Sequence, residues 1–113
     1  MKPRPIEELR ADFRELHRVG LFVMPNAWDV GSARLLSSMG FGALATTSWG
    51  HAASLGRSDQ NVTLDELLAH AAALAASTDL PLSVDAERCF AVDPAGVAET
   101  IERIATTAAA GCS

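Results

Sequence analysis

The sequence predicts an α/β fold built on a parallel sheet. Short apolar runs (Leu21-Phe22-Val23-Met24, Ala43-Leu44-Ala45-Thr46-Thr47 and Pro81-Leu82-Ser83-Val84-Asp85) alternate with longer segments whose apolar residues recur every three or four positions. Strands joined through helices need crossover connections, and crossovers make neighbouring strands parallel. Apolar residues make up 49% of the 113-residue chain, many of them alanine, which favours helices packed closely on other elements.

Ile6, Leu9, Phe13 and Leu16 stand at helical spacing and predict an amphipathic helix over 6–18, ended by Gly20. The run 21–24 reads as a first strand stopped by Pro25. Gly31-Ser32 opens a second helix that runs to about Met39, with Ala33, Leu35 and Leu36 along it and Gly40 as its stop. Residues 43–47 read as a second buried strand. The following stretch, Ser48 to Val62, is longer than an ordinary strand-to-helix connection and reads as a functional loop.

Thr63-Leu64-Asp65-Glu66 is a capping box, because the Thr hydroxyl and the Glu carboxylate can each satisfy an orphan backbone N–H. A third helix follows, with Leu64, Leu67, Leu68, Ala71, Leu74 and Ala75 on its inner face. Residues 81–85 form the third strand. Asp93 as N-cap and Pro94 at the first helical position start a fourth helix, with Val97, Ile101, Ile104 and Ala108 inward and Gly111 as its stop. Cys112-Ser113 reads as the first step of a further strand. Residues 1–113 therefore read as a single partial domain, the front part of a longer βα architecture. In a TIM barrel of about 250 residues, a little under half would be present.

The net charge of −5 and the absence of a Lys/Arg cluster argue against a nucleic-acid surface. No apolar run approaches the roughly 20 residues needed to span a bilayer, and the charged Glu7-Glu8-Leu9-Arg10 stands where a signal-peptide core would lie. The chain reads as cytoplasmic, with no membrane partner. Cys89 and Cys112 are too few and too isolated for a disulfide framework and read as free thiols. Pro25-Asn26-Ala27-Trp28, standing where a Gly-rich phosphate loop would follow the first strand, counts against a flavodoxin-like binding domain.

The sequence's main chemical signal is Asp85-Ala86-Glu87 at the end of the third strand. Alternation along a strand sends residues 85 and 87 to one side, with Cα atoms about 6–7 Å apart. Two hard oxygen donors with room for water suit Mg²⁺ or Mn²⁺ better than Zn²⁺, and strand ends are where α/β folds place their sites. The same spacing also fits an acidic turn leading into the helix that begins near Asp93.

Several blocks in order, Phe22-Val23-Met24-Pro25-Asn26-Ala27-Trp28-Asp29, Gly31-Ser32-Ala33-Arg34, Ala43 to Ser48, Ala53 to Asp59 and Asp85-Ala86-Glu87, resemble the isocitrate lyase/phosphoenolpyruvate mutase superfamily, over about Phe13 to Ser113. Members with a Pro-Asn-Ala-Trp-Asp first strand, described as carboxyphosphonoenolpyruvate phosphonomutase-like, look closest. The resemblance implies the N-terminal part of a (β/α)8 TIM barrel with a preceding helix, a homo-oligomer (usually a tetramer), and a Mg²⁺-dependent site at the C-terminal strand ends. It implies a C–C lyase or a C–P phosphonomutase-like enzyme acting on a small 2-oxo or dicarboxylic acid through an enolpyruvate-type intermediate.

By that resemblance Asp85 matches the principal metal-binding aspartate and Glu87 its partner carboxylate. Thr46, Thr47 and Ser48 fall on the turn that binds substrate oxygens. Asp59 matches an acidic residue placed to orient metal-bound water or touch substrate, although a surface ion pair or loop cap fits it as well. Thr46 to Ser48 also read as a strand end saturating its own backbone groups. Asn26 reads as a brace for the site floor and Asp29 as a helix cap. Trp49 and His51 fit a pocket wall or a protonation-tuning role, but Trp49 reads first as loop packing and His51 as incidental; Cys89 reads as a bystander thiol, and His17 and His70 as surface or boundary residues. Where many members have Asn-Gly-Tyr-Gly after the acidic pair, this chain has Arg88-Cys89-Phe90-Ala91. Losing two glycines predicts a loop without their positive-φ conformations. The alternative to the enzyme is a catalytically inert truncated half-barrel that self-associates through open strand edges.

Overall fold

The computed structural model describes residues 3–113; Met1 and Lys2, which the sequence reading counts in the same domain, lie outside the described residues. The elements are α1 (Ile6–Leu16), β1 (Asn26–Ala27), α2 (Val30–Ser37), β2 (Leu44–Thr46), α3 (Ser48–Ser54), α4 (Leu64–Ala76), β3 (Leu82–Val84), α5 (Pro94–Ala105) and β4 (Gly111–Cys112). The four strands form one parallel sheet in the order β1-β2-β3-β4. This is the predicted α/β class, with α2, α4 and α5 packed against the strands in chain order.

The pairing register separates two faces. Asn26, Ala45, Ser83 and Gly111 are Cα partners across the sheet, and the first three line an open cavity of about 620 Å³. The neighbouring residues Ala27, Leu44, Leu82 and Val84 point the other way, into a core shared with Ala33, Leu67, Ala71, Leu74 and Ile104. Alanines at zero exposure (27, 33 and 71) let α2 and α4 approach closely, and each fully buried leucine contributes about 2 kcal/mol of transfer free energy. On the cavity side α1 supplies Phe13, whose ring lies against Gly111. A Cβ built there would sit 2.6 Å from Phe13 Cε2, so that strand position admits only glycine without a shift of the ring.

Caps define most helix starts as the sequence predicts. Asp29 and Ser32 form a reciprocal capping box on α2, Thr63 and Glu66 one on α4, and Asp93 accepts from the Gly96 amide at the start of α5.

Five expectations are corrected. The first strand is Asn26–Ala27, not 21–24: the Ala45 amide donates to the Pro25 carbonyl, so pairing begins where proline was expected to end it, and Leu21 and Val23 stay exposed. The expected loop after β2 contains α3, capped by Thr47. The third strand ends at Val84, which puts Asp85 and Glu87 past the sheet ladder, and Glu87 has φ 57, so strand alternation does not extend to it. α5 stops at Ala105, leaving Ala108 exposed at φ 66 while Gly111 belongs to β4. The loop after the acidic pair keeps left-handed backbone without glycine, at Cys89 (φ 60) and Phe90 (φ 52), held by the Cys89 amide on the Ala86 carbonyl and by the Thr100 hydroxyl on the Cys89 carbonyl.

Candidate metal and anion site

Asp85 is fixed by three polar contacts at the C-terminal end of β3. Its amide donates to Thr46 Oγ1 at 2.9 Å. Its Oδ2 accepts from the Ser48 amide at 3.0 Å, and its Oδ1 from the Glu87 amide at 3.1 Å. One shell further out, Asn26 Nδ2 donates to the Thr46 carbonyl at 2.9 Å. Three strand ends are thus tied together around one carboxylate. Burial pushes its pKa up, but the donors at Ser48 and the Glu87 amide outweigh burial and hold it below the ordinary aspartate value.

Glu87 is the opposite case. Its Oε2 is buried without a hydrogen-bond partner. Burial raises its pKa, the charges of Asp59 and Asp85 raise it further, and Arg88 offsets part of that rise. Arg88 is itself held by Gln60 Oε1 at 3.2 Å, which ties the loop beyond α3 to the acidic turn. Asp59 lies on that exposed loop, where its Oδ1 accepts from the Gln60 amide at 2.9 Å. The three carboxylates share one electrostatic neighbourhood. Among the described residues, however, no three His, Cys, Asp or Glu side chains are placed together to hold a metal ion.

The predicted substrate turn falls beside Asp85. Thr46 and Thr47 line the cavity with Asp85, Asn26, Trp28 and Ser83. Thr46 spends its hydroxyl lone pair on the Asp85 amide, and Thr47 accepts from the Gly50 amide as the cap of α3, at 3.2 Å. Ser48 gives its amide to Asp85. Asn26 braces Thr46 and Asp29 caps α2, as their positions suggest. Cys89 and Cys112 are free thiols, and His17 is exposed on the end of α1.

Two features escape sequence reading. His51 is not incidental: its ring stacks on that of His70, centroids 3.7 Å apart and planes 8° from parallel, with His51 buried and His70 Nε2 buried without a partner. Nothing in the sequence pairs two histidines on separate helices. Ser83 in the cavity was passed over as well, although the alternation that sends Leu82 and Val84 to the opposite face is the signal that could have found it.

The geometry has clear relatives. A family model described as phosphoenolpyruvate phosphomutase matches residues 13–113. An uncharacterized protein of Mycobacterium tuberculosis (strain ATCC 25618 / H37Rv), Rv1998c, is 40% identical over 96 residues, covering 83% of this chain and 37% of that protein. The crystal structure of a proposed lyase/mutase from Burkholderia cenocepacia J2315 superposes with a TM-score of 0.93 at 45% identity, over 95% of this chain and 39% of its own. A 2,3-dimethylmalate lyase described as a PEP mutase/isocitrate lyase superfamily member superposes with a TM-score of 0.78 at 31% identity, over 95% of this chain and 38% of its own. The chain thus spans well under half the length of the relatives it matches, and its sheet corresponds to the N-terminal part of their TIM-barrel-like fold. With a family model matched over nearly its whole length, and with those neighbours sharing its strand order, the chain belongs to the phosphoenolpyruvate mutase/isocitrate lyase superfamily.

Proposed function

We propose that this chain is the metal-binding front part of a lyase or mutase acting on a small 2-oxo or dicarboxylic acid, with Asp85 and Glu87 as ligands of Mg²⁺ or Mn²⁺. The observation that carries the proposal is Glu87 Oε2, a carboxylate oxygen buried without a partner beside a second, firmly oriented carboxylate. Burying an unpaired charge is costly, and a cation is the partner that removes the cost. Two carboxylates are enough for Mg²⁺, which keeps several waters and seldom takes an all-protein cage. The residues present fit the ion as a half-site.

When bound, the cation would supply positive charge to the oxygens of a reacting acid and stabilise negative charge developing there. The chain's own residues do the rest. Thr46 and the Ser48 amide hold Asp85 in one orientation, and Asn26 holds Thr46. Thr46 and Thr47 also stand where substrate oxygens would meet hydroxyl groups, on the cavity wall with Asp85, and Ser48, whose amide holds Asp85, completes the turn that would bind them. Asp59 adds negative charge near Glu87 and would serve to orient water at the site. The neighbours support the substrate class: one acts on 2,3-dimethylmalate, and another, oxaloacetate acetylhydrolase, was solved with its product oxalate.

Titration calorimetry with oxalate in the presence and absence of Mg²⁺ tests this reading. Oxalate binding is expected to require Mg²⁺ and to weaken at least tenfold in Asp85→Asn. Binding that ignores Mg²⁺, or that survives the substitution undiminished, contradicts it.

A further inference from the structure

The rim beside Asp85 carries two indoles that the metal and anion groups do not explain. Trp28 follows β1 and lines the cavity that Asp85 and Thr47 line. It stands edge to face with Trp49 of α3, ring centroids 5.1 Å apart and planes at 80°. Trp28, 41% exposed, presents apolar surface at the mouth, and Trp49, 55% exposed, packs against its ring.

The seat is built into the backbone. A Cβ added at Gly50 would lie 2.7 Å from Trp28 Cγ and Cδ1 and 2.7 Å from Thr47 Cγ2. Only a residue without a side chain lets the first turn of α3 lie flush against the indole. The same turn gives its Gly50 amide to Thr47 and its Ser48 amide to Asp85, so the position of Trp28 is coupled to that of the carboxylate. Around it the strand-end groups are polar: Asn26, Thr47 and Asp85. An apolar plate held rigidly at one side of a polar, carboxylate-bearing mouth is a discriminating surface, because apolar contact is worth energy only to a ligand that has apolar atoms there.

We propose that Trp28, braced by Trp49 and seated on Gly50, is the apolar wall of the acid site and selects small carboxylic acids with an alkyl substituent on the carbon next to the metal-facing carboxylate. The proposal rests on the acid-site reading above and adds the substituent that the site prefers. It makes Trp28 a specificity-determining residue, in contact with substrate carbon and not with the oxygens.

Malonate and 2,2-dimethylmalonate differ only in two methyl groups and serve as the probes, titrated calorimetrically into the chain with saturating Mg²⁺. Full burial of the two methyls would favour dimethylmalonate by about tenfold. That preference is expected in the wild-type chain, is expected to persist in Trp28→Leu, which keeps apolar surface, and to fall toward unity in Trp28→Gln, which does not. Equal affinities in the wild-type chain, or an unchanged preference in Trp28→Gln, overturn the wall while leaving the acid site in place. Failure of both acids to bind with Mg²⁺ overturns the acid-site reading and the wall with it.

Discussion

Asp85 and Glu87 carry the same functional group two residues apart, and the fold moves their proton affinities in opposite directions. Asp85 is surrounded by donors and held below its ordinary value, whereas Glu87 is buried among like charges and raised. Divergence of that kind between neighbouring carboxyls marks groups arranged for binding or catalysis rather than for stability. The histidine pair shows the same physics away from the mouth. Burial and then the neighbouring His51 together lower the pKa of His70 to about 4, against the pull of Asp29; His51 is lowered by burial and Arg57 against the pull of Glu66. An unfolded histidine takes its proton near 6.5, so the folded chain binds fewer protons than the unfolded one between 6.5 and about 4. Stability is therefore complete above the unfolded value and is lost as pH falls through that window. Thermal melts from pH 7 to 4 should show this loss in the wild-type chain and a shallower one in His70→Phe, which keeps the stack without the titrating nitrogen. Superimposable profiles would contradict it.

At the scale of elements, the sequence was most legible where a single residue type has one dominant role. Asp29, Thr63 and Asp93 cap helices at the positions their spacing predicts, and Leu67, Ala71 and Leu74 bury as the 3.6-residue period requires. The outer positions of α5 were less legible: Val97 and Ile101 follow the inward pattern but are more than a third exposed, and Thr100 is buried beside Ile104 instead. α3 was missed because Gly50 interrupts its pattern and the helix is only seven residues long, although Thr47 before an Ala52-Ala53 pair is a start signal. Apolar content over 21–24 predicts a strand there, but pairing is set by which amides find carbonyls, here Ala45 on Pro25, and that begins the strand later. Near the candidate site, Asp85 directly follows β3, close to where the strand run put it, but the orphaned oxygen of Glu87 depends on a left-handed backbone that no sequence pattern announced. The end of α5 offers a direct check on such strain. Ala108 is exposed and left-handed, so Ala108→Gly relieves steric cost while adding flexibility to the unfolded chain. A net gain of about 1 kcal/mol is expected from urea unfolding; a loss of stability would show that the turn is not strained.

For the whole molecule, the sheet orders everything. Four parallel strands set a row of small and polar residues on one face, where β1, β2 and β3 line the cavity, and bury an aliphatic row under α2, α4 and α5 on the other, with the candidate site gathered where β1, β2 and β3 end. β1 and β4 are the edges of this sheet, and exposed Leu21, Val23, Val97 and Ile101 are apolar surface of the kind that further strands and helices cover in a closed barrel. No helix among the described residues is long and apolar enough to cross a membrane. The proposed half-site rests on residues of this chain alone, since both its carboxylates and the groups that orient Asp85 lie within it. Titration of the isotopically labelled chain with Mn²⁺, read as paramagnetic broadening of backbone amide resonances, tests that claim most directly. Selective broadening of Ser48 and of residues 85–88 at low Mn²⁺, reversed by excess Mg²⁺ and absent in Asp85→Asn, is the predicted result. Broadening centred on the His51–His70 pair, or none above the level of Asp85→Asn, would contradict it.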